Sequence, residues 1–302
     1  MTITALLTTV GSLALLALAF VPLERAFPAR AGQRVLRPSL GVDLCFFAGQ
    51  YLLWSGIALS LLLAVRDRLA LAALEHLRVW IAARPFWAQL VAAVALGDLA
   101  VYGFHRACHA YEPLWRFHAV HHSAEHLDFL AAHREHPLDG IVTQLCVNLP
   151  AFAMAFPLHR IAGFLALRGM WAVFIHSNVR VPLGPLRWLL GAPELHHWHH
   201  ARVERTLHNF SNLAPWVDML FGTYHCPEGP ETYPLGLTEP WPTGYAAQLL
   251  RPLRRRRGAP ETGVAEAGAE PVGDVGGPTV ACDELALARQ ADHAFGAGQE
   301  PR

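Results

Sequence analysis

The sequence predicts an all-α, integral-membrane protein built around a metal centre. Three observations carry that prediction. Of the 302 residues, 53% are hydrophobic and only 16% charged, and the mean hydropathy is positive at +0.26; this is too apolar for an ordinary soluble enzyme. Long apolar runs recur at helical length. Sixteen of the 18 histidines fall between His105 and His225, so the histidine excess is local. The net charge is zero, and no basic field points to nucleic acid. The five cysteines are scattered, odd in number and without a CxxC pair, which excludes a disulfide framework and a thiolate metal site. Cys108 is read as a small packing residue.

Ala5 to Leu23 is almost uninterrupted apolar sequence. It lacks a basic leader segment and is expected to be a first transmembrane helix rather than a signal peptide. The loop Glu24 to Pro38 carries Arg25, Arg30, Arg34 and Arg37, an enrichment expected on the cytoplasmic side. Leu40 to Val65 is a second spanning segment. Arg66 to Pro85 alternates leucines with charged residues and reads as an amphipathic helix at the membrane surface, although its own arginines conflict with a strict positive-inside topology. Phe86 to Phe104 is a third span, running directly into histidines. Gly140 to Val179 is long enough for a helical hairpin that enters the membrane and returns. From Arg251 the composition turns to arginine, then Gly, Ala, Pro and acidic residues, and predicts a disordered tail. The expected domains are 1–85 (transmembrane and interfacial helices), 86–250 (catalytic domain) and 251–302 (tail).

The metal reading rests on spacing. His196, His199 and His200 stand at i, i+3 and i+4, and so do His118, His121 and His122; His105 and His109 are one turn apart. Such positions share a helical face. Neutral imidazoles are good ligands for iron, zinc and copper, and this many exceed what one tetrahedral zinc needs, which suits two metals with open positions. His176 is a ninth candidate. His136, at a corner fixed by Pro137, is either a ligand or a support to one, and its neighbours Arg134 and Asp139 are expected to pair. His126 and His133 are expected to be peripheral, and His197 to point away. His208 and Asn209 follow the last cluster closely and are candidates to support it. Asp98 lies on the face of His105, two turns earlier; it either orients an imidazole or makes a helix-packing hydrogen bond. Glu125, Glu135 and Glu194 are expected to orient imidazoles or balance charge, and Asp218 to anchor the terminal packing motif.

At these residues the sequence resembles the fatty acid hydroxylase/sterol desaturase superfamily, over roughly Phe86 to Pro227. The resemblance is carried by the HxxxH box (His105, His109), the two HxxHH boxes (His118, His121, His122; His196, His199, His200), the Arg-x-His-Pro element from Arg134, and the closing Phe221-Gly-Thr-Tyr224. It implies about four transmembrane helices under a cytosolic helical cap, two iron ions cycling between Fe2+ and Fe3+ (or zinc in isolated protein), and use of O2 and two electrons to hydroxylate, desaturate or cleave a membrane lipid such as an acyl chain or sterol. One departure concerns a second histidine pair that some members carry between the HxxHH boxes. Here Arg180 stands four residues after His176, so only His176 carries over. No nicotinamide, flavin or fused haem signature is visible, so a separate donor is expected, a ferredoxin or a cytochrome b5-like protein with its reductase. An ether-lipid or carotenoid monooxygenase, a metal transporter and a non-catalytic membrane metal-binding protein are the competing readings. The clusters sit beyond the apolar runs rather than within them, which counts against transport.

Overall fold

Apolar length and turn chemistry set the helices in this computed structural model, which describes residues 2–68, 72–153, 158–181, 183–203, 206–227 and 229–254. The tail expected over 251–302 lies outside the described residues from 255 onward. Helix α1, Ile3–Ala26, begins where the Thr2 hydroxyl accepts from the Ala5 amide at 3.2 Å. Helix α2, Leu40–Gly49, passes through a π-helical turn, Gln50–Trp54, into α3, Ser55–Arg68. Then come α4, Ala72–Ala82, and α5, Phe86–Ala110, which carries the third apolar run through to His105 and His109. Among the described residues, three helical segments are long and apolar enough to cross a membrane: Ile3–Ala26, Leu40–Val65 and Phe86–Ala110. Along α1, Ile3, Leu7, Leu15 and Leu18 stay exposed, as a lipid-facing surface would be. On α4, Val79 and Trp80 are exposed and the Arg84 guanidinium lies over the Trp80 ring, which suits a helix at an interface.

The histidine segments begin on prolines. In α6, Glu112–His122, Pro113 occupies the first turn, where a missing amide costs nothing, and Glu112 meets the positive helix end. Pro193 opens α9, Pro193–His199, in the same way. Pro137 starts α7, Pro137–Ala153, directly after His136. The apolar stretch predicted as a hairpin forms α7 and α8, Leu158–His176, on either side of four residues outside the described set. Short α10, Trp216–Leu220, and α11, Tyr245–Leu250, follow. Among the described residues there is no strand, only isolated bridges between Pro28 and Val179 and between Ala201 and Leu235.

Helix α7 packs against α3 and α5, α6 against α5, and α9 against α8. Leu16, Phe20, Phe47, Phe129, Leu130 and Val173 form one apolar cluster that joins α1, α2 and α8 to the loop after α6. A buried ionic network pins the same loop. Arg37 makes two 2.6 Å bonds to Asp128 and pairs with Asp43 at 2.7 Å, while Arg134 meets Asp43 at 2.5 Å. The expected Arg134–Asp139 pair is therefore absent: Asp43, from α2, takes the guanidinium. The loop arginines also act inward, Arg30 donating to the Tyr233 carbonyl at 2.7 Å. A buried guanidinium needs carboxylate and carbonyl partners.

Candidate metal centre

The chain brings the nine predicted histidines together as two groups. His105, His109, His118, His122 and His199 form one; His121, His176, His196 and His200 form the other; in each, the donor atoms lie within 4.8 Å of one another. All nine are buried. The division cuts across the sequence boxes. His118 and His122 join the first group while His121 joins the second; His196 and His200 join the second while His199 joins the first. Neighbours i+3 and i+4 diverge by about 100° around a helix, so each HxxHH box reaches both groups. The expectation that each box converges on one face holds for the helix but not for the site.

The hydrogen bonds fix where the protons sit. His105 Nδ1 donates to the Phe210 carbonyl at 2.7 Å and His199 Nδ1 to the His208 carbonyl at 2.7 Å. His121 Nδ1 donates to the Arg134 carbonyl at 3.1 Å and His176 Nδ1 to the Ala172 carbonyl at 2.7 Å. A carbonyl only accepts, so each of these rings carries its proton on Nδ1. Yet His105 Nε2 faces His199 Nε2 at 2.9 Å, and His121 Nε2 faces His176 Nε2 at 3.1 Å. Two neutral rings thus aim lone pairs at each other with no proton between them. A cation relieves that repulsion, and two nitrogens each about 2.0–2.1 Å from one ion stand roughly 3 Å apart. His118 Nε2, His122 Nε2 and both nitrogens of His109 are buried without a hydrogen-bond partner, which is costly unless a metal takes them. The donor set fits two metal ions.

Burial and then the neighbouring imidazoles hold His121, His122, His196 and His200 well below the usual histidine range, and burial brings His199 to about 3. They are neutral across the physiological range, the state in which an imidazole nitrogen can bind a metal. His118 Nδ1 meets Asp139 Oδ2 at 2.9 Å, the carboxylate–histidine pairing that orients a ligand. Sequence reasoning gave Asp139 the wrong partner, and the carbonyls of Phe210, His208, Arg134 and Ala172 have no side-chain signature to read.

The other candidates fall outside both groups. His136 Nε2 reaches the Leu249 carbonyl at 3.3 Å, its Nδ1 accepts from the Leu138 amide, and its ring packs on Phe117. Asp98 pairs with Arg168 and accepts from the Leu213 amide at 3.1 Å, so it packs helices and orients no imidazole. The His208 ring lies on His225; only its carbonyl serves the site. Asn209 adopts the left-handed φ of 58° that Asn tolerates, and its amide clamps Leu195 and His225. That clamp sets the adjacent Phe210 carbonyl. Asp218 anchors the motif as expected, accepting from the Phe210 and Ser211 amides and the Thr223 hydroxyl. His197 points away, to Glu231 at 2.7 Å and the Ser177 carbonyl at 3.1 Å. Glu125 pairs with Arg202 at 2.7 Å on the surface, and Glu194 Oε2 is buried without a partner. Neither these two nor Glu135 bonds to an imidazole among the contacts described; Asp139 and Glu231 do. Cys108 is fully buried, its Sγ 3.8 Å from Asp139.

A cavity of about 530 Å³ opens beside the two groups. His105, His118, His121, His176 and His196 line one part of it; Leu15 and Leu16 of α1, Val101 and Phe104 of α5, and Met170 and Val173 of α8 supply apolar wall. A volume of this size suits part of a lipid chain.

Fold and site together define a helical protein with three segments suited to crossing a membrane and two histidine groups fit to bind metal beside a largely apolar cavity. Residues 90–223 match the fatty acid hydroxylase family. The chain is 32% identical over 183 residues to the ornithine lipid hydroxylase OlsE of Rhizobium tropici, covering 60% of this chain and 55% of that one. It is 29% identical over 150 residues to an alkylglycerol monooxygenase of Danio rerio, covering 48% and 33%, and 30% identical over 136 residues to a Delta(7)-sterol-C5(6)-desaturase of Nicotiana tabacum, covering 43% and 47%. The chain thus spans about half the length of OlsE and of the desaturase, and a third of the monooxygenase. No solved structure matches it. The matched segment, residues 90–223, holds all nine histidines of the two groups and is what the chain shares with these lipid hydroxylases, monooxygenases and desaturases.

Proposed function

We propose that this protein is a membrane di-iron oxygenase that hydroxylates or desaturates a lipid, using O2 and two electrons from a separate ferredoxin or cytochrome b5-like donor. The observation that carries the reading is the gathering of nine imidazoles in two groups, five of which (His105, His118, His121, His176 and His196) line one part of a largely apolar cavity. His105, His109, His118, His122 and His199 would hold one iron, and His121, His176, His196 and His200 the other. Bound iron supplies the redox chemistry with O2 that side chains lack. Relatives named as hydroxylase, monooxygenase and desaturase support iron over zinc.

The chain's own contribution is position and dryness. Asp139 and four backbone carbonyls fix the proton on the far side of five rings and so present Nε2. The walls from α1, α5 and α8 exclude water from the reacting carbon. Glu135, also on the wall, has its carboxyl raised well above the usual range by burial and by Asp139. In this reading α7 and α8 complete the membrane domain as the fourth spanning unit, and the histidine-bearing ends form a cap on the cytoplasmic side.

The test is to express wild type and His199→Ala with a compatible donor under labelled O2 and to profile membrane lipids by mass. A lipid gaining one labelled oxygen only in wild type establishes a monooxygenase. Loss of two hydrogens without label establishes a desaturase. Identical profiles, with donor reduction confirmed, would sink the activity.

A further inference from the structure

Outside the two histidine groups, one buried side-chain nitrogen of a cavity-lining residue, His133 Nε2, has no hydrogen-bond partner. Of the polar side chains there, Asn148 donates to the Gln144 carbonyl at 2.8 Å and to its Oε1 at 3.1 Å, and Arg168 is paired with Asp98. His133 is different. It ends a short 3₁₀ turn, Ala131–His133, and is only 5% exposed. Its ring meets Phe47 edge-on at 4.8 Å and Tyr51 at 5.9 Å. Its Nδ1 lies 3.0 Å from Gln50 Oε1. An amide oxygen only accepts, so Nδ1 carries the proton and Nε2 is left as an acceptor. That Nε2 is buried without a hydrogen-bond partner. Burial brings this histidine to about 3, so the ring stays neutral.

The residue that holds it belongs to the one π-helical turn among the described residues, Gln50–Trp54, set inside an otherwise α-helical span. Such turns often mark functional positions in helices. Gln50, Tyr51 and Ser55 all line the cavity. A ring clamped on two sides, held at one nitrogen and unsatisfied at the other is a built acceptor, and an unmet acceptor is penalised until a donor arrives. The next residue, Arg134, gives its carbonyl to His121 of the second metal group at 3.1 Å. The acceptor and the metal site therefore share a backbone segment.

We propose that His133 Nε2 accepts a hydrogen bond from a hydroxyl or amide N–H of the lipid substrate, so that the protein selects lipids carrying such a donor within the cavity over plain hydrocarbon chains. The inference rests on the cavity being the lipid site of the proposed function, and it makes His133 a specificity-determining residue rather than a peripheral one.

The test is equilibrium binding of radiolabelled octadecanol and of octadecyl methyl ether to the purified, metal-loaded protein in nanodiscs. The two probes differ in the hydroxyl donor. Wild type is expected to favour the alcohol by roughly tenfold or more. His133→Phe, which keeps the ring and removes both nitrogens, should abolish that preference. Gln50→Leu, which frees the ring, should weaken it several-fold should the histidine variant not fold. Equal binding of the two probes to wild type, absence of binding by either, or an unchanged preference in a folded His133→Phe overturns the proposal. The labelled-oxygen assay is independent of it. Alcohol preference without oxygen incorporation leaves the acceptor standing and removes the oxygenase; incorporation without preference does the reverse.

Discussion

His121 and His122 are joined by one peptide bond but belong to different groups of donors. Replacing each by alanine in turn therefore tests the partition itself. A four-ligand structural zinc site binds with about 10–16 kcal/mol, so one imidazole is worth roughly 3 kcal/mol, or about 100-fold in affinity. His121→Ala leaves its group three donors of four, whereas His122→Ala leaves its group four of five. The first change should weaken one metal by about that factor, and the second should weaken the other metal by less. The assay is metal per chain by elemental analysis after dialysis against a graded chelator. The pairs decide more than the singles. His121→Ala with His200→Ala, both in one group, should strip one metal and spare the other. His121→Ala with His122→Ala should lower both. Coupling is expected within a group and near-additivity between groups. If His121/His122 behaves as one unit and His121/His200 as two, the partition is wrong.

Asp139→Ala should lower the affinity of the five-histidine group by roughly 10- to 100-fold by freeing the His118 ring, with Asp139→Asn milder because it keeps an acceptor; chelator competition reads both. Glu135 has a folded-state pKa raised by burial and by Asp139, so its contribution is fully present below the unfolded value near 4.5 and is lost as pH rises through the raised one. Glu135→Gln cannot ionise, so its melting temperature in detergent should fall less than that of wild type between pH 6 and 9, and parallel curves would refute the assignment. His133 is depressed to about 3 by burial first and the His176 field second. Its contribution is present above about 6.5 and is lost as pH falls towards 3, by up to about 1.4 kcal/mol per pH unit. His133→Phe should accordingly flatten the acid side of the stability curve, and an acid limb as steep as that of wild type would count against it.

Much of the site was legible because ligand spacing on a helix is a local property. His105 and His109, one turn apart, and the two i, i+3, i+4 boxes named eight donors, and His176 was found because it closes an apolar run. The failures share one cause. Proximity in sequence pairs Arg134 with Asp139, yet their partners come from α2 and α6, while Asp98 takes the helix-packing one of its two expected roles, with Arg168 of α8. The contact that holds His133 is equally non-local: its partner Gln50 is 83 residues away.

The sequence by itself determined the helices, the apolar runs suited to a membrane and the residue type of every proposed ligand, because each follows from composition and from a 3.6-residue period. Only the tertiary structure decided how nine histidines divide five and four, which carbonyl fixes each proton, and where a cavity meets them. A helix fixes the angle between neighbouring side chains, but the direction each then points is set by packing against α5, α8 and the Phe210 loop. Hydrogen bonds from imidazole to backbone carbonyl carry no side-chain signature at all, so that part of the site exists only once the chain has folded.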